Sequence, residues 1–162
     1  MDDHGSAALR RLLAELPDAV QATHADLGDA TAVVDADRIL DVLRLLRDDA
    51  ELEFEMLSDV TAVDLLPKTP RFEVVYHLYS VARNHRVRVK APVSEDAPRI
   101  ASATPLWESA NWLEREVWDM YGIAFDGHPD MRRLLLYDEF EGHPLRKDYA
   151  KEKRQPLVGP QN

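Results

Sequence analysis

The stretch RFEVVYHLYSVARNHRVRVKAPV, residues 71–93, decides the fold. On either side of Ala82-Arg83-Asn84, β-branched and aromatic residues alternate with polar ones. A period of two is the mark of a half-buried strand, and the polar triplet marks a turn, so the stretch predicts an antiparallel hairpin. Val87 and Val89 then face inward, and Arg86, Arg88 and Lys90 face out.

Working outward, FEMLSDVTAVDL (residues 54–65) predicts a further strand, joined to the hairpin by the loop LPKTP. Before it, DADRILDVLRLLRDD places Ile39, Val42, Leu43 and Leu46 on one helical face. VQATHADLGDATAVV (residues 20–34) suggests a hairpin around Gly28-Asp29. From Ser6 to Leu16 the apolar residues Leu9, Leu12, Leu13 and Leu16 recur at helical spacing, and Pro17 stops the run. After the central hairpin a helix is expected from about Pro105 to Tyr121, with Gly122 as its stop and Leu113, Val117 and Met120 facing the sheet. The fold class is therefore α+β: an antiparallel or mixed sheet packed against a few helices, followed by an extended irregular segment. Residues 1–125 form the α+β domain, and residues 126–162 form an extended C-terminal docking segment of the same domain.

Composition narrows the function. At 162 residues the chain can bury one sizeable core. A net charge of -10 argues against a nucleic-acid binder, which also weighs against single-stranded RNA on the 72–89 hairpin. The chain contains no cysteine, so it holds no iron–sulfur cluster by thiolates and no zinc–thiolate site. No phosphate loop, Gly-x-Gly-x-x-Gly fingerprint or Gly-x-Ser-x-Gly elbow occurs. The acidic start MDDHGSAALR indicates neither a secretory nor a transit sequence, and no run approaches the roughly 18 apolar residues of a membrane span. Acid crowds the first seventy residues, whereas Arg132, Arg133, Arg146 and Lys147 gather near the end, a polarity suited to meeting different neighbours at the two ends.

Three features carry candidate chemistry. Gly-His-Pro occurs twice, at Gly127-His128-Pro129 and Gly142-His143-Pro144. Each is a turn that aims a histidine in a set direction, because glycine admits positive φ, proline fixes its own φ, and the residue before proline is extended. The six histidines include no His-x-x-His or His-Glu-x-x-His, so a metal site, and with it a metal-dependent hydrolase built on His128, His143, Glu116 and Asp119, is the lesser reading. In the helix ANWLEREVWDMYG, Glu116 and Asp119 lie three apart and could share a partner. Pairing of Glu114, Glu116 or Asp119 with Arg115, Arg132 or Arg133 is preferred to acid–base catalysis. Finally, Trp107, Trp112 and Trp118 concentrate aromatic area in one segment, suited to a core and also to an interface.

WLEREVWDMYGIAFDGHPDMRRLLL followed by GHPLRKDY resembles the signature of the C subunit of respiratory complex I, the proton-pumping NADH:quinone oxidoreductase. Its elements stand here at Glu114-Arg115-Glu116, Asp119, Gly122-Ile123, Gly127-His128-Pro129, Arg132-Arg133 and Pro144-Leu145-Arg146-Lys147-Asp148. The resemblance runs from about Val60 to Tyr149. It implies a non-catalytic structural and assembly subunit of the peripheral arm, without a cofactor of its own. FMN, iron–sulfur clusters and quinone would belong to the parent complex. It also implies the B and D subunits as neighbours, and attachment to the cytoplasmic face of a bacterial inner membrane through them. The equivalent subunit of a membrane-bound hydrogenase or a ferredoxin-dependent complex is the alternative. The expected interface and structural residues are Glu114, Arg115, Glu116, Asp119, His128, Arg132, Arg133, His143, Arg146, Lys147 and Asp148.

Overall fold

The computed structural model describes residues 4–156. Helix α1 (His4–Glu15) leads through a 3-10 turn into the hairpin β1 (Val20–His24) and β2 (Thr31–Val34), whose turn contains Gly28 at φ 87°. Helix α2 (Ile39–Asp48) crosses to β3 (Met56–Asp64), which pairs with β4 (Phe72–Ser80), which pairs in turn with β5 (His85–Val93). The expected central hairpin closes from Phe72↔Val93 to Ser80↔His85. Strand order is β1-β2-β5-β4-β3, antiparallel throughout except for β2 beside β5, so the sheet is mixed. A small parallel pair, β6 (Arg99–Ala101) with β7 (Ala124–Asp126), flanks helix α3 (Ala110–Tyr121).

Alternation sets which face of the sheet is covered. Val74, Tyr76, Leu78, Val87 and Val89 point into one core with Leu9 and Leu12 of α1, the predicted face of α2, and Val117 of α3. The helices therefore pack on one face, and the opposite face carries Arg86, Arg88 and Lys90 as expected. Leu13 departs from the expected α1 stripe and is exposed; Leu9 and Leu12 are buried, and Leu16 packs partly against the core.

Helix α3 begins five residues later than its sequence suggests. The preceding segment is tied down by tertiary bonds: Trp107 Nε1 donates to Glu55 O at 3.0 Å, Ser109 Oγ to Leu57 O at 3.3 Å, and Ala103 N to a Glu114 carboxylate oxygen at 2.6 Å. These anchors impose successive turns where local spacing alone would continue the helix. Gly122 stops α3 as expected, at φ 74°. From Gly127 to residue 156 the chain forms no helix or strand among the described residues. The end of the extended segment, residues 157–162, lies outside them.

Candidate functional site

The irregular segment is ordered by side chains of α3. Asp119, in the last turn of the helix, is fully buried. One carboxylate oxygen accepts from Arg133 at 2.6 Å, and the other from the backbone N–H groups of Leu134, Leu135 and Leu136 at 3.1, 2.8 and 3.0 Å. One turn earlier Arg115 donates to the carbonyls of Arg132 and Arg133 at 3.1 and 3.0 Å. Residues four apart share a helix face, so Arg115 and Asp119 together satisfy both the carbonyls and the N–H groups of a strandless coil. Burial pushes the Asp119 carboxyl up, but the three N–H groups and the Arg133 guanidinium outweigh it and hold it below the usual carboxylate range.

Only part of the expected pairing forms. Asp119 takes Arg133, while Arg132 pairs with Asp130 at the surface and Arg115 spends its donors on carbonyls. Glu116 shares no partner with Asp119: it lies on the solvent side with Trp112, four residues before it, and its side chain makes no hydrogen bond or ion pair among the described residues. Glu114 turns the other way, into the core. It is fully buried, accepting from Ser102 Oγ and Ala103 N, both at 2.6 Å, with no cation paired to it among the described residues. Burial pushes its carboxyl up to about 7. The Tyr76 hydroxyl is also buried, has no hydrogen-bond partner among the described residues, and is pushed well above its ordinary range by burial and then by the Glu114 charge. Both groups are sealed from solvent.

The two Gly-His-Pro turns act on opposite ends of α3. The Asp130 N–H donates to His128 Nδ1 at 3.0 Å, which leaves Nε2 to donate to Asn111 O at 2.9 Å in the first helical turn. His143 Nδ1 donates to the Asp119 carbonyl at 3.0 Å in the last turn. Eight residues of helix rise about 12 Å, so the histidines are anchored too far apart to share an ion. Among the described residues no cluster of three His, Asp or Glu could hold a metal.

The second motif is a helix cap assembled from long range. A helix leaves its last four carbonyls without partners. Here Trp118 O accepts from Gly122 N at 2.8 Å, Asp119 O from His143, Met120 O from Leu145 N at 3.1 Å, and Tyr121 O from Arg146 Nε at 2.8 Å. His143 also lies so close to Gly122 that a Cβ there would fall 2.6 Å from its ring. The Arg146 guanidinium stacks over Phe72 at 5.0 Å.

A second buried centre fastens the same strap to the sheet. Arg71, 6% exposed, makes a two-point pair with Asp64 at 3.1 and 2.8 Å and reaches Asp148 at 2.8 Å and Glu95 at 3.0 Å. Asp64 also accepts from Lys147 N at 2.8 Å and Leu66 N at 3.0 Å. Its hydrogen bonds with Arg71 outweigh its burial and hold it far below the carboxylate range. Sequence reasoning missed Asp64 and Arg71; an acid closing an apolar strand and an arginine just after Pro70 were the available signal.

The arrangement presents an irregular but tightly bonded surface, with Trp112, Leu135 and Leu145 projecting from it at 65%, 62% and 52% exposure. Residues 32–155 match the family described as respiratory-chain NADH dehydrogenase, 30 Kd subunit. The chain is similar to the C subunit of NADH-quinone oxidoreductase from Roseiflexus castenholzii, 51% identical over 140 residues covering 86% of this chain and 80% of that one. It is also similar to the C subunit from Citrifermentans bemidjiense, 53% identical over 133 residues covering 82% and 78%. Among solved structures, a trypsin-resistant fragment of Nqo5 superposes with TM-score 0.66 at 34% identity, covering 76% of this chain and 98% of that one. A chain of the membrane-bound sulfane sulfur reductase, an archaeal respiratory membrane complex, superposes with TM-score 0.78 at 28% identity, covering 91% and 86%. Profile, relatives and fold agree on one ancestry: this chain belongs to the family of the 30 kDa subunit of respiratory-chain NADH dehydrogenase.

Proposed function

We propose that the chain is a non-catalytic structural and assembly subunit of the peripheral, quinone-reducing arm of a proton-pumping NADH:quinone oxidoreductase. The observation that carries this reading is the way α3 and Arg71 fix some twenty residues of irregular chain, while the apolar side chains of Leu135 and Leu145 point outward. Ordering a coil costs roughly 1–2 kcal/mol per residue in backbone entropy. A coil held by a buried ion pair and a built helix cap supports a role as a preformed contact surface, which lowers the ordering cost of docking.

The neighbours proposed for it are the B and D subunits, those that carry the terminal iron–sulfur cluster and the quinone pocket. FMN, clusters and quinone then reside on other subunits, and this chain relays no electrons itself. No helix among the described residues is long and apolar enough to cross a membrane, so attachment to the cytoplasmic face of a bacterial inner membrane is proposed to run through partners. The fold's likeness to a chain of an archaeal sulfane sulfur reductase supports a second reading, the equivalent place in a related membrane complex with a different electron input.

Affinity purification from native membranes in mild detergent tests both. Recovery in a large coloured assembly with NADH:quinone reductase activity is expected. The same assembly without NADH activity points to the second reading, and recovery as a lone monomer contradicts both.

A further inference from the structure

Among the described residues, the helices and the C-terminal strap leave one face of the five-stranded sheet without a cover. Its side chains are not those of a fully solvated surface. Met56 and Val63 are 48% and 40% exposed, Tyr79 and Val33 are half-buried, and the face is crossed by polar residues of β5. Strands stand about 4.8 Å apart and rise about 3.3 Å per residue, so three nine-residue strands and two short ones present roughly 600 Å² in projection. A standard protein interface takes about 800 Å² of accessible surface from each partner, and accessible surface exceeds projected area, so this single face approaches that size.

Charge on the face is uneven. Toward Pro92 it is neutralised within the chain, because Lys90 pairs with Glu73 at 2.9 Å. Toward the 81–84 turn it is neutralised only in part, by Glu53 on Arg83 and a loose Asp29–Arg88 pair. There a hollow of about 1220 Å³ is lined by His77, Arg83, Arg86 and Arg88 along with Asp29 and Asp59, so basic side chains outnumber acidic ones. The Arg86 guanidinium lies over the Tyr79 ring at 5.3 Å and makes no hydrogen bond or ion pair among the described residues. Arg88 bonds Thr31 Oγ1 at 3.0 Å and approaches an exposed Asp29 only to 3.7 Å. In a chain of net charge -10, two guanidinium groups two residues apart on one face of β5 keep spare donors, Arg86 over the Tyr79 ring. Planar forks of that kind suit carboxylates.

We propose that this open face is a second docking surface, distinct from the strap, which takes an acidic extended segment of a neighbouring subunit across its arginine-rich end. The inference rests on the reading of the chain as an assembly subunit. Carboxylates of the segment meet Arg86 and Arg88, and its apolar residues cover Met56 and Tyr79.

Because the chain has no cysteine, single thiols report access directly. Met56→Cys and Ser58→Cys variants, both exposed on β3 at the rim of the hollow, are labelled with a polymer-bearing maleimide, once as free chain and once assembled in native membranes, and read as a mobility shift of this subunit. At least tenfold slower labelling in the assembly is expected at both positions. Arg86→Glu/Arg88→Glu should release the face, restoring labelling of Met56→Cys in that background while the strap keeps the chain in the assembly. If the assembly forms and both thiols react at the free-chain rate, this inference is overturned and the docking function stands. If the wild-type chain is not recovered in any assembly, the docking function itself falls. Protection that survives the charge reversal overturns the acidic occupant, and protection lost on ribonuclease treatment assigns the face to RNA instead.

Discussion

Asp119 and Arg133 form an ion pair at 2.6 Å in which the Asp119 side chain is fully buried and the Arg133 side chain is 13% exposed. The same carboxylate closes three backbone N–H groups, and the same residue's carbonyl receives His143, so one helical position organises both halves of the extended segment. Removing one partner strands the other. Arg133→Met should cost about 3–5 kcal/mol, because the carboxylate stays buried without its cation. Asp119→Ala should cost at least as much, since it also orphans three N–H groups. Urea unfolding of the purified chain measures both, and a loss under about 1 kcal/mol for Arg133→Met would mean that the pair behaves as a surface pair.

Arg71 is predicted to hold the strap rather than the sheet. Arg71→Leu leaves β4 and β5 fully paired but deprives Asp64, Asp148 and Glu95 of their common cation. The expected result is a chain with near-native circular dichroism that trypsin cuts faster at Arg146, Lys147 and Lys151. Unchanged cleavage alongside a lowered melting temperature would instead assign Arg71 to the sheet core.

How far the sequence predicts this architecture depends on how local each cause is. Strands β3 to β5 and helix α2 follow from spacings of two and 3.6 residues within a dozen positions, and they lie close to where the pattern puts them. The end of α3 is written in Gly122. Its beginning is not, because Glu114, Trp107 and Ser109 are tied to other elements by bonds that no window of local sequence contains. The same holds for the site. A carboxylate–arginine pairing is readable from the motif, but that Asp119 takes Arg133 while Glu116 faces solvent is decided by how the coil crosses the helix. Arg71 meets Asp148 across 77 positions, and only the folded chain brings them together.

Glu114 and the two buried aspartates pull stability in opposite directions with pH. The Glu114 carboxyl is raised from 4.5 to about 7, so the folded chain holds that proton more tightly than the unfolded one. Its contribution is fully present below about 4.5 and is lost as pH rises through about 7. At roughly 1.4 kcal/mol per unit this amounts to about 3 kcal/mol. Asp64 and Asp119 are held below their ordinary value, so their contribution is present above about 4 and is lost as pH falls further. Stability should therefore peak near pH 5. Glu114→Gln should flatten the fall between pH 5 and 8 and leave the acid limb in place. A wild-type maximum above pH 7, measured by urea unfolding across the range, would contradict a protonated buried Glu114.

Gly122 combines two demands that can be separated by a double-mutant cycle. Its φ of 74° costs any other residue about 1–2 kcal/mol, and a Cβ would also fall 2.6 Å from the His143 ring. His143 cannot retreat freely, because its Nδ1 is bound to the Asp119 carbonyl and its ring edge meets Trp118 at a centroid distance of 6.3 Å. Gly122→Ala alone should therefore cost more than the backbone strain, about 3 kcal/mol in all, and should loosen the cap formed by Leu145 and Arg146. In a His143→Ala background the steric part disappears, and Gly122→Ala should cost only the 1–2 kcal/mol of the left-handed conformation. The coupling between the two positions measures how firmly the second Gly-His-Pro turn is seated on the end of α3. Strictly additive costs would show that the turn moves aside, and that the cap is made by Leu145 and Arg146 without the histidine.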